Sequence, residues 1–235
     1  MNFIMAAHPR NPGTNRWPLF QEAFGDNFEN KVVLDFGGSG GNLLYNSNGA
    51  IKESNYICID PWEDAINEGK QEFPEAEFIY YDRFSWMYNH VGNKEINLPV
   101  IERKVDYIAA YSVFSHTDFD EFATTLKWMK SLNPEKIVVS FLDADSVKLK
   151  NYFEDKRYKA YGSTLTMPLN THNVYYYMNN SKIIANEKVC PMIPCRHFIA
   201  LYNIPWLYQE LAKEGIEAKG PYYFSGRSVP FLIIE

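Results

Sequence analysis

The chain has 235 residues, 46% hydrophobic and 22% charged, which suits one large domain and argues against disorder. Its 23 Lys and Arg stand against 29 Asp and Glu, a formal net charge of −6, so the broad basic footprint of a nucleic-acid binder is absent. Three cysteines, a start without the basic-then-apolar pattern of a secretory signal, and no run of ~18 apolar residues together predict a cytoplasmic protein without disulfides or a membrane span.

In chain order, Pro9, Pro12, Gly13 and Pro18 predict an irregular lead-in, followed by a short helix over 19–28. Arg10 and Arg16 lie on this lead-in, where they could fold over a bound ligand as a lid. Apolar runs then recur at 31–36, 55–59, 77–81, 105–110 and 136–142, with helical patterns between most of them. Strands separated by helix-length segments mean βαβ units and a parallel α/β sheet. The helices are expected over 63–73 and 118–132. In the second, Phe119, Phe122, Leu126 and Met129 form one apolar face, and Asn133-Pro134 ends it.

A longer connection, 82–104, is rich in Asn, Tyr and Trp, and connections of that length in a compact domain tend to be functional. After 142 the alternation loosens. Residues 174–178 and 182–185 flank Asn179-Asn180 and predict a hairpin. A last helix over 205–214 is stopped by Gly215, and 216–224 with 228–234 form an antiparallel pair. The organisation is a single domain: lead-in 1–30, core 31–142, an insertion 143–200 and a closing segment 201–235.

The chemistry concentrates at the predicted strand ends. Residues 31–42 run from an apolar strand through Asp35 into a glycine-rich turn, Gly37-Gly38-Ser39-Gly40-Gly41, with Asn42 opening a helix. A strand, a tight turn and a helix build a nucleotide-sized crevice at the carboxyl edge of a parallel sheet. An acid before the glycines would repel a pyrophosphate and suits a ligand that is cationic there, such as the α-amino group of a methionine moiety. That points to S-adenosylmethionine.

The second strand ends in Asp60, placed to accept from a ribose diol, with Pro61 and then Trp62, which could flank an adenine ring. The third ends at Tyr81-Asp82-Arg83, where an acid can accept from the adenine amino group. The fourth runs into Tyr111-Ser112-Val113 and then Phe114-Ser115-His116. Topology brings all four strand ends to one crevice.

At these residues the sequence resembles the class I S-adenosylmethionine-dependent methyltransferases. Residues 35–41 look like their Asp-x-Gly-x-Gly-x-Gly motif, Asp60 like the ribose acid, Asp82 like the adenine-side acid, and 111–116 like the segment after the fourth strand. Ser39 departs from the motif at the middle glycine. The resemblance covers about 28–142 and implies a Rossmann-like three-layer sandwich, with seven strands and the last antiparallel. It also implies S-adenosylmethionine as cofactor, S-adenosylhomocysteine as product, and contacts from Asp35, Gly37, Gly38, Ser39, Gly41, Asn42, Asp60, Pro61, Trp62, Tyr81, Asp82, Arg83, Tyr111, Ser112 and Val113. His116 is the candidate base, with His197 in competition, and Tyr111 a candidate to orient the acceptor.

Net charge and aromatic content favour a small-molecule acceptor, flat or apolar, over a nucleic acid. Cys190, Cys195 and His197, or Asp143 with Asp145, could hold a metal, but a proline-stiffened loop and solvated acids explain them as well, and no metal is expected. Tyr175, Tyr176 and Tyr177 fit either an acceptor pocket or a strand with one core face. The competing readings are a nicotinamide-type oxidoreductase, an inactive cofactor-binding partner protein and aminopropyl transfer. The first lacks a full Gly-x-Gly-x-x-Gly here.

Overall fold

The structure, a computed structural model, describes residues 15–85, 88–89, 91–143, 174–179, 197–224 and 229–235, with only the backbone for 174–179 and 197–199. The strands are β1 (Val33–Phe36), β2 (Tyr56–Asp60), β3 (Glu77–Tyr80), β4 (Tyr107–Ala110), β5 (Lys136–Ser140), β6 (Val174–Asn179), β7 (His197–Tyr202), β8 (Lys219–Tyr222) and β9 (Phe231–Ile234). The α-helices are α1 (Trp17–Phe24), α2 (Asn42–Asn46), α3 (Glu63–Glu72), α4 (Phe119–Ser131) and α5 (Ile204–Lys213). Seven strands form one sheet in the order β3-β2-β1-β4-β5-β9-β8. β1 to β5 are parallel, and β9 runs antiparallel to both β5 and β8.

The near-continuous apolar runs follow from burial on both faces of a parallel sheet. On one face Leu34, Phe36, Ile57, Ile59, Ile108 and Ala110 pack with Phe122, Leu126 and Met129 of α4 and Leu207 and Leu211 of α5. On the other, Val33, Tyr56, Cys58, Tyr107 and Val138 meet Leu19, Phe20, Ala23 and Phe24 of α1 and Leu43 and Leu44 of α2. The Phe24 ring stacks on Tyr107 at 4.8 Å and Phe20 meets Phe231 edge-on at 6.1 Å, so α1 clamps the middle of the sheet. Phe119 lies only half-buried at the edge of the α4 face, packed on Trp206.

Caps set the ends of the longer helices. Asp118 accepts from the Glu121 amide at 2.8 Å and starts α4, while Asn203 accepts from the Trp206 amide at 3.1 Å and starts α5. Gly215, at φ 75°, follows α5 as expected.

Two expectations change. The helix after the lead-in spans Trp17–Phe24, since Gly25 at φ 88° stops it before Phe28. The antiparallel partner of β6 is β7, with Val174 opposite Tyr202 and Asn179 opposite His197. Residues 182–185, expected to pair there, lie outside the described residues, as do Arg10, Asp145, Cys190 and Cys195. β7 was missed because Phe198, Ile199, Ala200, Leu201 and Tyr202 form a short apolar run with no turn signal beside it. No described helix is long and apolar enough to cross a membrane.

Candidate functional site at the carboxyl edge of the sheet

The chain leaves β1 at Phe36 and turns over the end of β2, where the Gly37 amide donates to the Ile59 carbonyl at 2.7 Å. Gly37, Ser39 and Gly41 all take left-handed conformations, with φ 78°, 53° and 89°. For Ser39 that costs about 1–2 kcal/mol, which explains the glycine it replaces in the motif. Gly38 is glycine for another reason: a Cβ there would lie 2.6 Å from Asp35 Oδ2 and 2.8 Å from Cys58 Sγ. A Cβ on Gly37 would collide with the Val113 side chain. The small residues are set by what packs beneath the turn as well as by its open side.

What lies beneath is Asp35, and this corrects the expectation for it. Strand alternation puts Asp35 on the face shared by Val33, Tyr56 and Cys58, so its carboxylate points under Gly38 and does not line the crevice. Asp35 is 5% exposed, and its Oδ2 accepts from the Tyr56 hydroxyl at 2.6 Å. Burial, with the Asp60 charge adding, pushes Asp35 up to about 7 against the pull of the Tyr56 hydrogen bond. Asp35 therefore supports the turn from below, and a full negative charge at neutral pH is not assured. Cys58 adds to this floor by donating from Sγ to the Ser39 carbonyl at 3.2 Å.

Asp60 sits where the sequence puts it, at the carboxyl end of β2. Its Oδ2 accepts from the Ser39 amide and its Oδ1 from the Trp62 amide, both at 2.8 Å. The carboxylate staples the glycine turn to the segment that carries Pro61 and Trp62. Burial raises Asp60 to about 6, although the two amides pull the other way. A carboxylate has about four acceptor sites, so the two amides leave room for two further donors such as a diol. Asn42 is buried at the first position of α2.

The end of β3 is only partly as expected. The Asp82 carboxylate is at the surface and accepts from the Tyr80 hydroxyl at 3.2 Å and from Asn89 Nδ2 at 3.0 Å. Tyr81 turns into the opposite core against Phe36. Arg83 is held elsewhere: Nε and Nη2 make a paired contact to Glu121 of α4 at 2.9 and 2.8 Å, and Nη1 donates to the carbonyls of Asn93 and Lys94. Tyr81 and Arg83 thus anchor the start of the 82–104 connection to the body of the protein. Their partners are remote in sequence, so spacing alone could not reveal this.

That connection also contributes a residue the sequence reading missed. Ser85 and Asn89 exchange reciprocal backbone bonds at 2.7 and 3.1 Å. Tyr88, next to Asn89, stacks on Trp62, with ring centroids 5.3 Å apart and planes at 24°. The only earlier signal was the run of aromatics in the connection.

Past β4, Tyr111 lies under the Arg16 guanidinium, 4.4 Å from its ring centroid, so the lead-in does reach the carboxyl edge. Ser112 at φ 60° donates its amide to Ser140 Oγ at 2.7 Å, tying the ends of β4 and β5 together. Val113 presses on Gly37, and His116, half-buried, donates its amide to the Val113 carbonyl at 2.8 Å. β7 is fastened to the same edge by the Ala200 amide on the Ser115 carbonyl and the Tyr202 amide on the Leu142 carbonyl, both 2.8 Å. Asp143 lies beside Tyr202 through an isolated bridge. Among the described residues no group of three or more His, Cys, Asp or Glu is placed to hold a metal.

No protein-family model and no curated sequence matches the chain. Solved structures do. An S-adenosylmethionine-dependent methyltransferase from Clostridium acetobutylicum aligns over 93% of this chain and 90% of its own, with TM-score 0.54 and 13% identity. The glycopeptide N-methyltransferase MtfA, solved with S-adenosylmethionine, aligns over 94% and 92%, with TM-score 0.55 and 10% identity. A Burkholderia thailandensis methyltransferase solved with 1,6-didemethyltoxoflavin and S-adenosylhomocysteine aligns over 94% and 78%, with TM-score 0.54 and 12% identity. The chain has the fold of the class I S-adenosylmethionine-dependent methyltransferases. Those neighbours differ widely in what they methylate.

Proposed function

We propose that this protein binds S-adenosylmethionine at the carboxyl edge of β1 and β2 and transfers its methyl group to a small-molecule acceptor. The observation that carries the reading is Asp60, whose carboxylate is aimed by the Ser39 and Trp62 amides while keeping acceptor capacity for a ribose diol. The antiparallel β9 favours this over a nicotinamide site, since dinucleotide-binding sheets carry the order 3-2-1-4-5-6 in parallel. Repulsion from Asp35 no longer helps that argument, because its carboxyl is buried and raised to about 7.

When bound, the sulfonium supplies an electrophilic methyl group, so the protein's part is placement. Gly37 to Gly41 offer backbone to the amino acid end, Asp60 orients the ribose, and Trp62 and Asp82 flank the adenine. Tyr111, Ser112 and Val113 form the opposite wall, where Arg16 closes over Tyr111. An acceptor atom held in line at near-attack distance needs little more. His116 is the base for acceptors that must lose a proton, and Tyr111 orients them. The β6–β7 pair bounds the acceptor side, a reading supported by the two backbone bonds of β7 to the β4–α4 and β5 ends.

Calorimetry with S-adenosylmethionine, S-adenosylhomocysteine and NAD tests the reading. Binding of the first two without the third is expected, and binding of NAD alone sinks it. An inactive binding partner would take up the cofactor yet never turn over across an acceptor panel.

A further inference from the structure

Tyr88 holds a position that the proposed reaction does not require. Its ring covers one face of Trp62, its own amide donates to Ser85 Oγ at 3.3 Å, and Ser85 and Asn89 on either side of it exchange backbone bonds. Asn89, the next residue, is buried and donates to both the Tyr80 hydroxyl and Asp82 at 2.8 and 3.0 Å. Arg83 fixes the base of the same connection on Glu121. Tyr88 is therefore anchored through Ser85 and Asn89, and its ring is aimed.

Its surroundings are those of a nucleoside. Trp62 stands two residues beyond Asp60, and partial burial, with the Asp60 charge adding, pushes the Tyr88 phenol up to about 12. Stacked ring atoms approach to about 3.5–4.0 Å. A third ring between Trp62 and Tyr88 would need their centroids roughly 7 Å apart, and they stand at 5.3 Å. An adenine on that face of Trp62 and the Tyr88 ring exclude each other. Tyr88 is still 39% exposed, so it can leave without unpacking the core.

We propose that Tyr88 is a built-in competitor of the cofactor's adenine, its ring standing on the face of Trp62 that the base would take. The proposal rests on the S-adenosylmethionine reading of this crevice and adds a residue that sets cofactor affinity by occupying the site. Binding of the adenosine end then requires Tyr88 to swing off Trp62, so the protein holds its cofactor less tightly than its contacts alone would allow.

The test is a double-mutant cycle read by calorimetry with S-adenosylhomocysteine, on the full chain. Tyr88→Ala is expected to tighten binding by about three- to tenfold, the scale of one aromatic stack. In a Trp62→Ala background the same change is expected to yield less than about a twofold gain, because the stack is already gone. Unchanged or weaker binding in Tyr88→Ala, or a gain that persists undiminished without Trp62, overturns the proposal while leaving the cofactor reading intact. No binding by the wild type or any variant removes both.

Discussion

The two halves of the sheet's carboxyl edge are built differently. On the β1–β2 side most of what shapes the turn comes from a short stretch of chain: Asp35, Gly38, Ser39, Tyr56, Cys58 and Asp60 bond or pack on one another within residues 35–60, with Val113 pressing on Gly37 from outside it. On the β4–β5 side the bonds reach far along the sequence, from Ser112 to Ser140, Ser115 to Ala200, Thr117 to Tyr202 and Leu142 to Tyr202. The first half is a local device that can be carried intact from one chain to another. The second depends on where β7 returns to the sheet.

On that division, substitutions within the first half change ligand affinity, and loss of the long-range bonds that seat β7 in the second does not. The largest effect on binding is expected from Gly38→Val, which drives a side chain into Asp35 and Cys58. It should lower stability by about 1–3 kcal/mol and remove measurable S-adenosylhomocysteine binding; a folded variant that still binds breaks the comparison. Asp35→Asn separates support from charge. The folded-state value near 7 exceeds the ordinary carboxylate value, so the stability contributed by proton uptake is complete at acid pH and is lost as pH rises through about 7. Melting curves from pH 4 to 8 should show the wild type losing ground to Asp35→Asn, by up to about 4 kcal/mol. A constant difference would mean that the carboxylate is not confined.

Asp60→Ala should weaken S-adenosylhomocysteine binding by about 1–3 kcal/mol. In the wild type, affinity should fall as pH drops through about 6, where Asp60 takes up its proton. Equal titrations at pH 5 and 7.5 would count against the ribose assignment. In the other half, Tyr202→Phe removes the hydroxyl that donates to the Thr117 carbonyl at 3.0 Å. A stability loss of about 0.5–1.5 kcal/mol with affinity unchanged sharpens the division, and a matching loss of affinity blurs it. The smallest effect is expected from Ser39→Gly, which relieves the left-handed serine. It should raise stability by no more than about 1 kcal/mol, read as a small rise in Tm with binding retained.

The same asymmetry explains what the sequence could show. Five parallel strands, the α4 face, the stop at Gly215 and the antiparallel closing pair were all legible, because each rests on a local period or a turn residue. The place of Asp60 and Trp62 at the end of β2 was legible from their distance past the turn. The orientation of Asp35 was not deduced, yet alternation alone carries it: Asp35 pairs with Cys58 in register, and Tyr56 two residues earlier shares that face. Arg83 could not be assigned, since its partner Glu121 lies 38 residues on. β7 and its seat on the sheet edge were equally hidden, because a five-residue apolar run says nothing about which backbone it will meet.

The place of β9 has a consequence for how the chain is made. It fills the gap between β5 and β8, and its Phe231 meets Phe20 of α1. Until ribosomal synthesis has passed through the whole inserted region, the outer rim of β5 carries unsatisfied amides and carbonyls, a template for adhesion to other nascent copies. Foldability in the cell is thus expected to turn on chaperone shielding of that rim, and on how promptly the tail strand slots home.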